Sequence, residues 1–257
     1  KLWVSTRQGE IFVSTDSEAE NFELKYTVPN ASRVQIEASK SNAGTLYFLA
    51  QGRTSPVIMG KTTNGFGSVN TMSLPDDVDN GIPANDFTRG QAFYDLLLAV
   101  DPSNESKLYA GGIDLFRSSN TGNSWGQISK WSNNNALFNL DVSPVHADQH
   151  AIAFANGSSR RMIFGNDGGV YYSNDGGATI LSRNKGYNTS QFYTIGVAPT
   201  IAGGDYFAGG LQDNGTQGFV NAQSGIVNAK EFQGGDGAGT DYSQTKNYLI
   251  ANFVYNN

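Results

Sequence analysis

One local pattern constrains this chain more than any other: a short apolar strand that runs into a turn of the form Ser-x-Asp-x-Gly-x-Thr. It is clearest at Val170-Tyr171-Tyr172-Ser173-Asn174-Asp175-Gly176-Gly177-Ala178-Thr179, and Leu115-Phe116-Arg117-Ser118-Ser119-Asn120-Thr121-Gly122-Asn123-Ser124-Trp125 repeats it about 55 residues earlier. Ile11-Phe12-Val13-Ser14-Thr15-Asp16 is a worn third copy, and Thr62-Thr63-Asn64-Gly65 a degraded one. Recurrence at that period predicts stacked units, a propeller or solenoid, in place of one centralised core. The chemistry of the turn is readable. Asp175 or Asn120 folds back onto backbone N–H groups just ahead. Gly177 and Gly122 supply conformations that a Cβ would penalise. Trp125, or Ile180 in the later copy, leaves the loop as an apolar plug beneath it.

Strand-like segments alternate with turn clusters along the whole chain, and no stretch sustains a helical period. The expected architecture is all-β: a β-propeller of four-stranded antiparallel blades, about four to five of them present, forming the incomplete ring of a larger propeller. The expected blades are 1–32 (partial), 33–95, 96–143, 144–192, 193–237 and 238–257 (partial). The long polar passage from Pro75 to Gly90, with Asp76, Asp77, Asp79 and Asp86, reads as a solvated acidic loop suited to a protein partner.

Composition narrows the class. Thirty-one glycines with 12% aromatic and 16% charged residues fit many short strands and tight turns. No apolar run is long enough to span a membrane as a helix. A net charge of -6 argues against a nucleic-acid partner, which demands a basic surface. Cysteine is absent, so no disulfide is expected. Asn-x-Ser/Thr sequons stand at Asn30, Asn104, Asn156, Asn188 and Asn214, though an Asn-rich chain produces such triplets by chance.

The turn with Ser118, Asn120, Gly122 and Trp125, and that with Ser173, Asp175, Gly177 and Thr179, resembles the Asp-box, or bacterial neuraminidase repeat. Families that carry it include sialidases, xyloglucan-type endoglucanases and the sortilin propellers. A second likeness spans roughly residues 96–240. It rests on Val145-His146-Ala147-Asp148-Gln149-His150, Gly165-Asn166-Asp167-Gly168-Gly169, Gln191-Phe192-Tyr193, Gly210-Leu211-Gln212-Asp213-Asn214-Gly215 and Gly234-Gly235-Asp236-Gly237. Together these resemble the sortilin-like or glycosyl-hydrolase-like propellers of secreted Bacteroidetes proteins. The resemblance implies a secreted or cell-surface location and export as cargo of the type IX secretion machinery. It also implies that the Asp-box itself marks the fold, on the blade rim.

Candidate site residues lie at the ends of the expected innermost strands. His146, Asp148 and His150 are spaced two apart, so an extended strand would put them on one face. That face suits a Zn²⁺ ion, or else simply pins neighbouring strands. Asp167, Asp213 and Asp236 sit in Gly-flanked strand ends, where a Ca²⁺ site or an Asx turn are the alternatives to catalysis. Asp167 and Asp213 are the expected acid–base pair of a glycoside hydrolase, with Asp148 in reserve. His146, His150, Gln191, Gln212, Asn214 and Asp236 are the expected ligand-binding residues. No cofactor is expected and the metal is left unknown. A sialidase is set aside, because that chemistry needs an arginine cluster and a Tyr–Glu nucleophile. The expected role is extracellular recognition of polysaccharide, by binding or by hydrolysis, with Trp3, Trp131, Tyr187, Phe192 and Tyr193 as sugar platforms. The alternative is a non-enzymatic scaffold for protein ligands, with the rest of the parent propeller as a further partner.

Overall fold

The computed structural model describes residues 1–54, 56–187, 189–199, 204–225 and 227–254. The sequon at Asn188 therefore lies outside the described residues. Those residues fall into two compact units, Lys1–Lys185 and Gly186–Asn257.

The first unit is a series of antiparallel sheets met in chain order. Strands β1 (Leu2–Ser5), β2 (Glu10–Ser14) and β3 (Glu23–Thr27) form the first. Strands β4 (Ala31–Ala38), β5 (Leu46–Gly52), β6 (Val57–Thr62) and β7 (Asn70–Thr71) form the second. The third holds β8 (Leu97–Asp101), β9 (Asn104–Gly111), β10 (Leu115–Ser118) and β11 (Gly126–Gln127). A short parallel pair, β12 (Ser129–Lys130) with β13 (Ser143–Pro144), leads into the fourth. That sheet is β14 (Gln149–Phe154), β15 (Met162–Asn166), β16 (Gly169–Ser173) and β17 (Leu181–Ser182). In the four larger sheets the strands pair in sequence order, up and down, which is the blade pattern of a β-propeller. The fold is all-β.

Three apolar clusters hold these sheets together, and each lies between two consecutive sheets. Ile11, Leu46, Phe48 and Phe66 join the first to the second; Leu49, Met59, Leu98, Leu108 and Phe116 join the second to the third. Leu97, Tyr109, Leu115, Met162 and Phe164 join the third to the fourth. Strand β8 shows why its sequence is an unbroken apolar run. Leu98 and Val100 face one neighbour while Leu97 and Ala99 face the other, so both faces are buried.

Each of these four sheets places the repeated turn between its last two strands. Ser173 Oγ accepts the N–H of Gly177 at 2.8 Å and donates to Asp175 Oδ1 at 2.8 Å, while Thr179 N–H donates to Asp175 Oδ1 at 2.9 Å. Ser118, Asn120, Gly122 and Ser124 repeat the scheme. So do Thr62, Asn64, Phe66 and Ser68. Phe66 takes the glycine position with a φ of 71°, and the apolar cluster its ring enters accounts for that. At the first copy Ser14 still donates to Asp16, which accepts the N–H groups of Glu20 and Asn21 instead. Trp125 packs back on the second cluster and donates its indole N–H to the Ser73 carbonyl. Because Ser173 is 1% exposed, Ser173→Ala strands the Gly177 amide without an acceptor. We expect it to cost about 1–3 kcal/mol by urea unfolding. Ser14→Ala, at the worn copy, is expected to cost under about 1 kcal/mol.

The passage from Pro75 to Gly90 is not a solvated acidic loop. Asp77, Asp86, Phe87 and Thr88 are buried, and Phe87 meets Phe116 edge-on in the core. Arg89 gathers the charges: it lies 2.8 Å from Asp77, 3.0 Å from Asp79 and 4.0 Å from Asp114. Polar composition misleads here because an arginine at the end of the passage neutralises its carboxylates and lets them go inside.

The second unit holds β18 (Phe192–Val197), β19 (Tyr206–Leu211), β20 (Gly215–Val220) and β21 (Lys230–Gln233) in one sheet, and β22 (Gly237–Tyr242) with β23 (Leu249–Phe253) in another. Glycine lets these two sheets touch backbone to backbone. A Cβ on Gly210 would fall 2.2 Å from the Ala238 carbonyl oxygen.

Candidate functional site

Antiparallel order dictates which end of a blade carries the polar residues. The repeated turn follows the third strand, so the start of the first strand and the hairpin joining the second and third lie at the opposite end. In the first unit that end gathers Asp95, two residues before β8; Asp148, just before β14; and Asp167, in the two-residue hairpin turn joining β15 to β16.

Local structure fixes each of them. Tyr94 and Asp95 both donate backbone N–H groups to the Gln91 carbonyl, at 2.7 and 3.0 Å, which closes a turn ahead of β8. Asp148 has a φ of 65°, in the left-handed region where Asp and Asn are enriched. Buried Gln149 then anchors the entry to β14: its N–H donates to the Gly112 carbonyl and its amide to the Ile113 carbonyl. The Asp167 turn is set by Asn166 Oδ1, which accepts the Gly168 N–H, and by the His146 ring lying where a Gly168 side chain would go.

This geometry overturns the expected His146–Asp148–His150 face. The strand begins only at Gln149, a bulge lies between Gln149 and Ala151, and the left-handed turn at Asp148 breaks the two-residue period. The hydrogen bonds of the three differ: His146 Nδ1 lies 3.2 Å from the Ala147 carbonyl, Asp148 is buried, and His150 Nε2 lies 2.6 Å from Asp167 Oδ1, while both imidazoles stay near enough to act on the Asp148 charge.

What the fold brings together instead is a carboxyl cluster. A carboxylate oxygen of Asp148 lies within 4.8 Å of one of Asp167. Asp167 accepts the Tyr94 hydroxyl at 2.8 Å as well as the His150 contact, and the Tyr94 and His150 rings meet edge-on at 4.8 Å. Asp148 accepts the Gln91 amide at 3.3 Å. Burial raises the Asp148 carboxyl above its ordinary value, and the charge of Asp167 adds to the rise; His146 and His150 oppose it. Asp95 is pushed up to about 9, first by burial and then by the charge of Asp148. Phe93, 63% exposed, stands beside Tyr94 on the solvent side.

Sequence reasoning missed Gln91, Phe93, Tyr94 and Asp95. The one available signal is a carboxylate set directly against Leu96-Leu97-Leu98-Ala99-Val100, a position that burial makes costly without a partner. Of the expected platforms, Trp131 is exposed over the Arg89 guanidinium and Tyr187 and Tyr193 are exposed, while Trp3 packs edge-on to Phe66 and Phe192 packs near Phe219.

The remaining expected residues lie in the second unit. Asp213 sits in the hairpin between β19 and β20 with a φ of 57°, and its N–H donates to Asp236 Oδ1 at 3.0 Å. Asn214 donates its amide to the Gln212 carbonyl, and Gln191 is exposed just before β18. Asp236 thus serves at least as a brace for the turn that carries Asp213.

No family model matches the chain, and no curated protein matches it. Among solved structures it is similar to the GH74 enzyme of Niastella koreensis, at 17% identity and a TM-score of 0.43, over 97% of this chain and 40% of that one. It is similar to the GH74 xyloglucanase of Xanthomonas campestris at 16% identity and a TM-score of 0.49, over 97% and 39%. YCF48 from Cyanidioschyzon merolae is similar at 12% identity and a TM-score of 0.44, over 93% and 71%. The chain spans about two fifths of the length of the two GH74 enzymes. Identities this low transfer no site residue. The propeller assignment rests on the order of the sheets and on the cores between them.

Proposed function

We propose that the chain is part of an extracellular propeller that binds polysaccharide at the end of its blades opposite the repeated turns, with hydrolysis carried by Asp148 and Asp167. The observation that supports this reading is the close carboxyl pair beside an exposed aromatic edge. Two carboxyl groups flanking one bond are the machinery of glycoside hydrolysis, and the spacing separates its two forms. Oxygens within 4.8 Å lie nearer the retaining arrangement, at about 5–5.5 Å, than the inverting one at about 6.5–9.5 Å. Asp148, raised by burial, takes the part of the acid that protonates the leaving oxygen. Asp167, steadied by Tyr94 and His150, takes that of the attacking carboxylate. Phe93 and Tyr94 supply ring faces for a sugar. Asp148 with Asp167, both in the first unit, is thus preferred as the acid–base pair to the expected Asp167 with Asp213.

The Ser-x-Asp turns are read as Asp-boxes, on the strength of their shared hydrogen-bond scheme, and as rim structure. An extracellular or cell-surface location goes with that reading, and with the exposed sequons at Asn104 and Asn156.

The test is a polysaccharide panel scored for both binding and product release. Release that falls about 10²–10⁴-fold in Asp167→Asn and in Asp148→Asn, with binding kept, is expected. Binding without turnover would leave a lectin-like propeller. Neither would sink the carbohydrate reading and leave the protein-ligand scaffold, which the burial of Asp77 and Asp86 already disfavours.

A further inference from the structure

Asp95 is the least explained polar residue of the molecule. It is 0% exposed, and among the described residues neither of its carboxyl oxygens makes a hydrogen bond of ordinary geometry, its own backbone N–H being the one amide close enough to favour the charge. The side chain it faces is another carboxyl, that of Asp148. Two acceptors cannot satisfy each other. A buried carboxylate without a donor is among the costliest groups a fold can hold, and a single proton between the two carboxyls removes the cost.

We propose that Asp95 is a positioning residue of this site: it keeps a proton, donates it as an O–H hydrogen bond to Asp148, and so holds Asp148 in place. The assignment rests on the acid role given to Asp148 above. When Asp148 gives its own proton to a leaving oxygen, its O–H bond breaks and the leaving group's O–H bond forms. The new Asp148 anion then lies in the hydrogen bond of Asp95, which retains its proton throughout. Asp95 itself touches no substrate, being 0% exposed.

The surrounding charges agree with the proton staying on Asp95 whenever the pair holds only one. Arg33, from β4, is the cation that favours an ionised Asp95, but its guanidinium is also engaged by the Ala92 and Tyr94 carbonyls. On the far side Asp148 faces Asp167, His146 and His150, with the Tyr94 hydroxyl on Asp167. Burial is the largest influence on both carboxyls and keeps the proton on the deeper one.

The experiment is a ¹³C NMR titration of the aspartate carboxyl carbons in the whole chain, assigned with Asp95→Asn and Asp148→Asn. It needs no substrate, so a chain that hydrolyses nothing can still pass it, and a failure here leaves the polysaccharide screen standing. In the unaltered protein the Asp95 carbon is expected at its protonated position at pH 7, moving only toward pH 9. Asp95→Asn, neutral and still a donor, is expected to leave the Asp148 midpoint within about half a pH unit. Asp95→Leu, with no donor, is expected to raise it by about one unit or more. An ionised Asp95 at pH 7 would overturn the proposal without any variant. So would a fall of more than about one unit in Asp95→Asn, which would mean a negative charge had been removed, or an unmoved midpoint in Asp95→Leu.

Discussion

Replacing Arg89 with alanine is expected to cost the fold about 3–5 kcal/mol at pH 8. Three carboxylates depend on this one guanidinium, and the side chains of Asp77 and Asp114 are wholly buried. Removing the cation leaves their charges in the interior with only partial compensation. Asp114 keeps the Ser129 hydroxyl and the Gln127 amide, at 2.9 and 3.1 Å, and Asp77 keeps the Asp79 N–H. Arg89→Lys keeps a charge but loses the fork that reaches Asp77 and Asp79 at once, so it is expected to recover only part of the loss. The cost is also expected to shrink in mild acid. Burial already pushes the Asp114 carboxyl up to about 7, against the Ser129 hydrogen bond, so near pH 5 it is protonated and no longer calls for a counter-charge. Urea unfolding of both variants at pH 5 and pH 8 decides the matter. An Arg89→Ala cost under about 1 kcal/mol at both pH values would show the network to be a surface ornament.

The second large effect is on the protein's own pH dependence. Asp114 and Asp95 have folded-state values raised to about 7 and about 9, whereas in the unfolded chain each lies near 4. Between those limits the folded state binds more protons than the unfolded one, so stability falls as pH rises. The fall is steepest from about 4 to 7, where Asp114, Asp95 and Glu37, itself raised to about 7 by burial, all contribute, and it continues toward 9 with Asp95. Every pH unit separating a group's folded and unfolded values is worth about 1.4 kcal/mol, so the combined loss amounts to several kcal/mol. Below pH 4 the sign reverses. Asp16 is lowered to about 2 by the Ser14 hydroxyl and the amides of Asn21 and Glu20. Asp175 is lowered by Thr179 and Ser173 in spite of a burial effect that pushes upward. Their contribution is lost as pH falls through those lowered values. Maximum stability is therefore expected near pH 4–5, and thermal unfolding at pH 5, 7 and 9 should show a descending midpoint. A midpoint that is flat or rising over that range would contradict the burial of both groups as ionisable carboxyls. Asp95→Asn should remove the descent above pH 7 and make the descent between pH 4 and 7 shallower.

The blade turns are legible because nearly all their bonds are local. Ser173, Asp175, Gly177 and Thr179 satisfy one another within six residues of chain, so the pattern of letters is also the pattern of contacts. Once a local unit repeats at a fixed spacing, stacking is the one way for its apolar strands to bury both faces, and an all-β propeller follows. Even the degraded copy at Thr62 and Asn64 keeps the same bonds.

The site is legible only in part, since its bonds are long-range. Asp167 announces itself by its glycines, but its donors come from Tyr94 and His150, far away in the chain. Asp148 and the two histidines look like one face only if a two-residue period runs through a residue that in fact turns left-handed. Asp95 carries no motif at all. Its meaning comes from a neighbour that only packing supplies. The same holds for Arg89, which turns an acidic passage that reads as solvated into part of the core. Local hydrogen bonds and strand alternation thus determined the architecture from the sequence. Which carboxyls face one another, and which lie beyond the reach of water, was decided by the tertiary structure, because Coulomb and desolvation energies depend on distance in space and not along the chain.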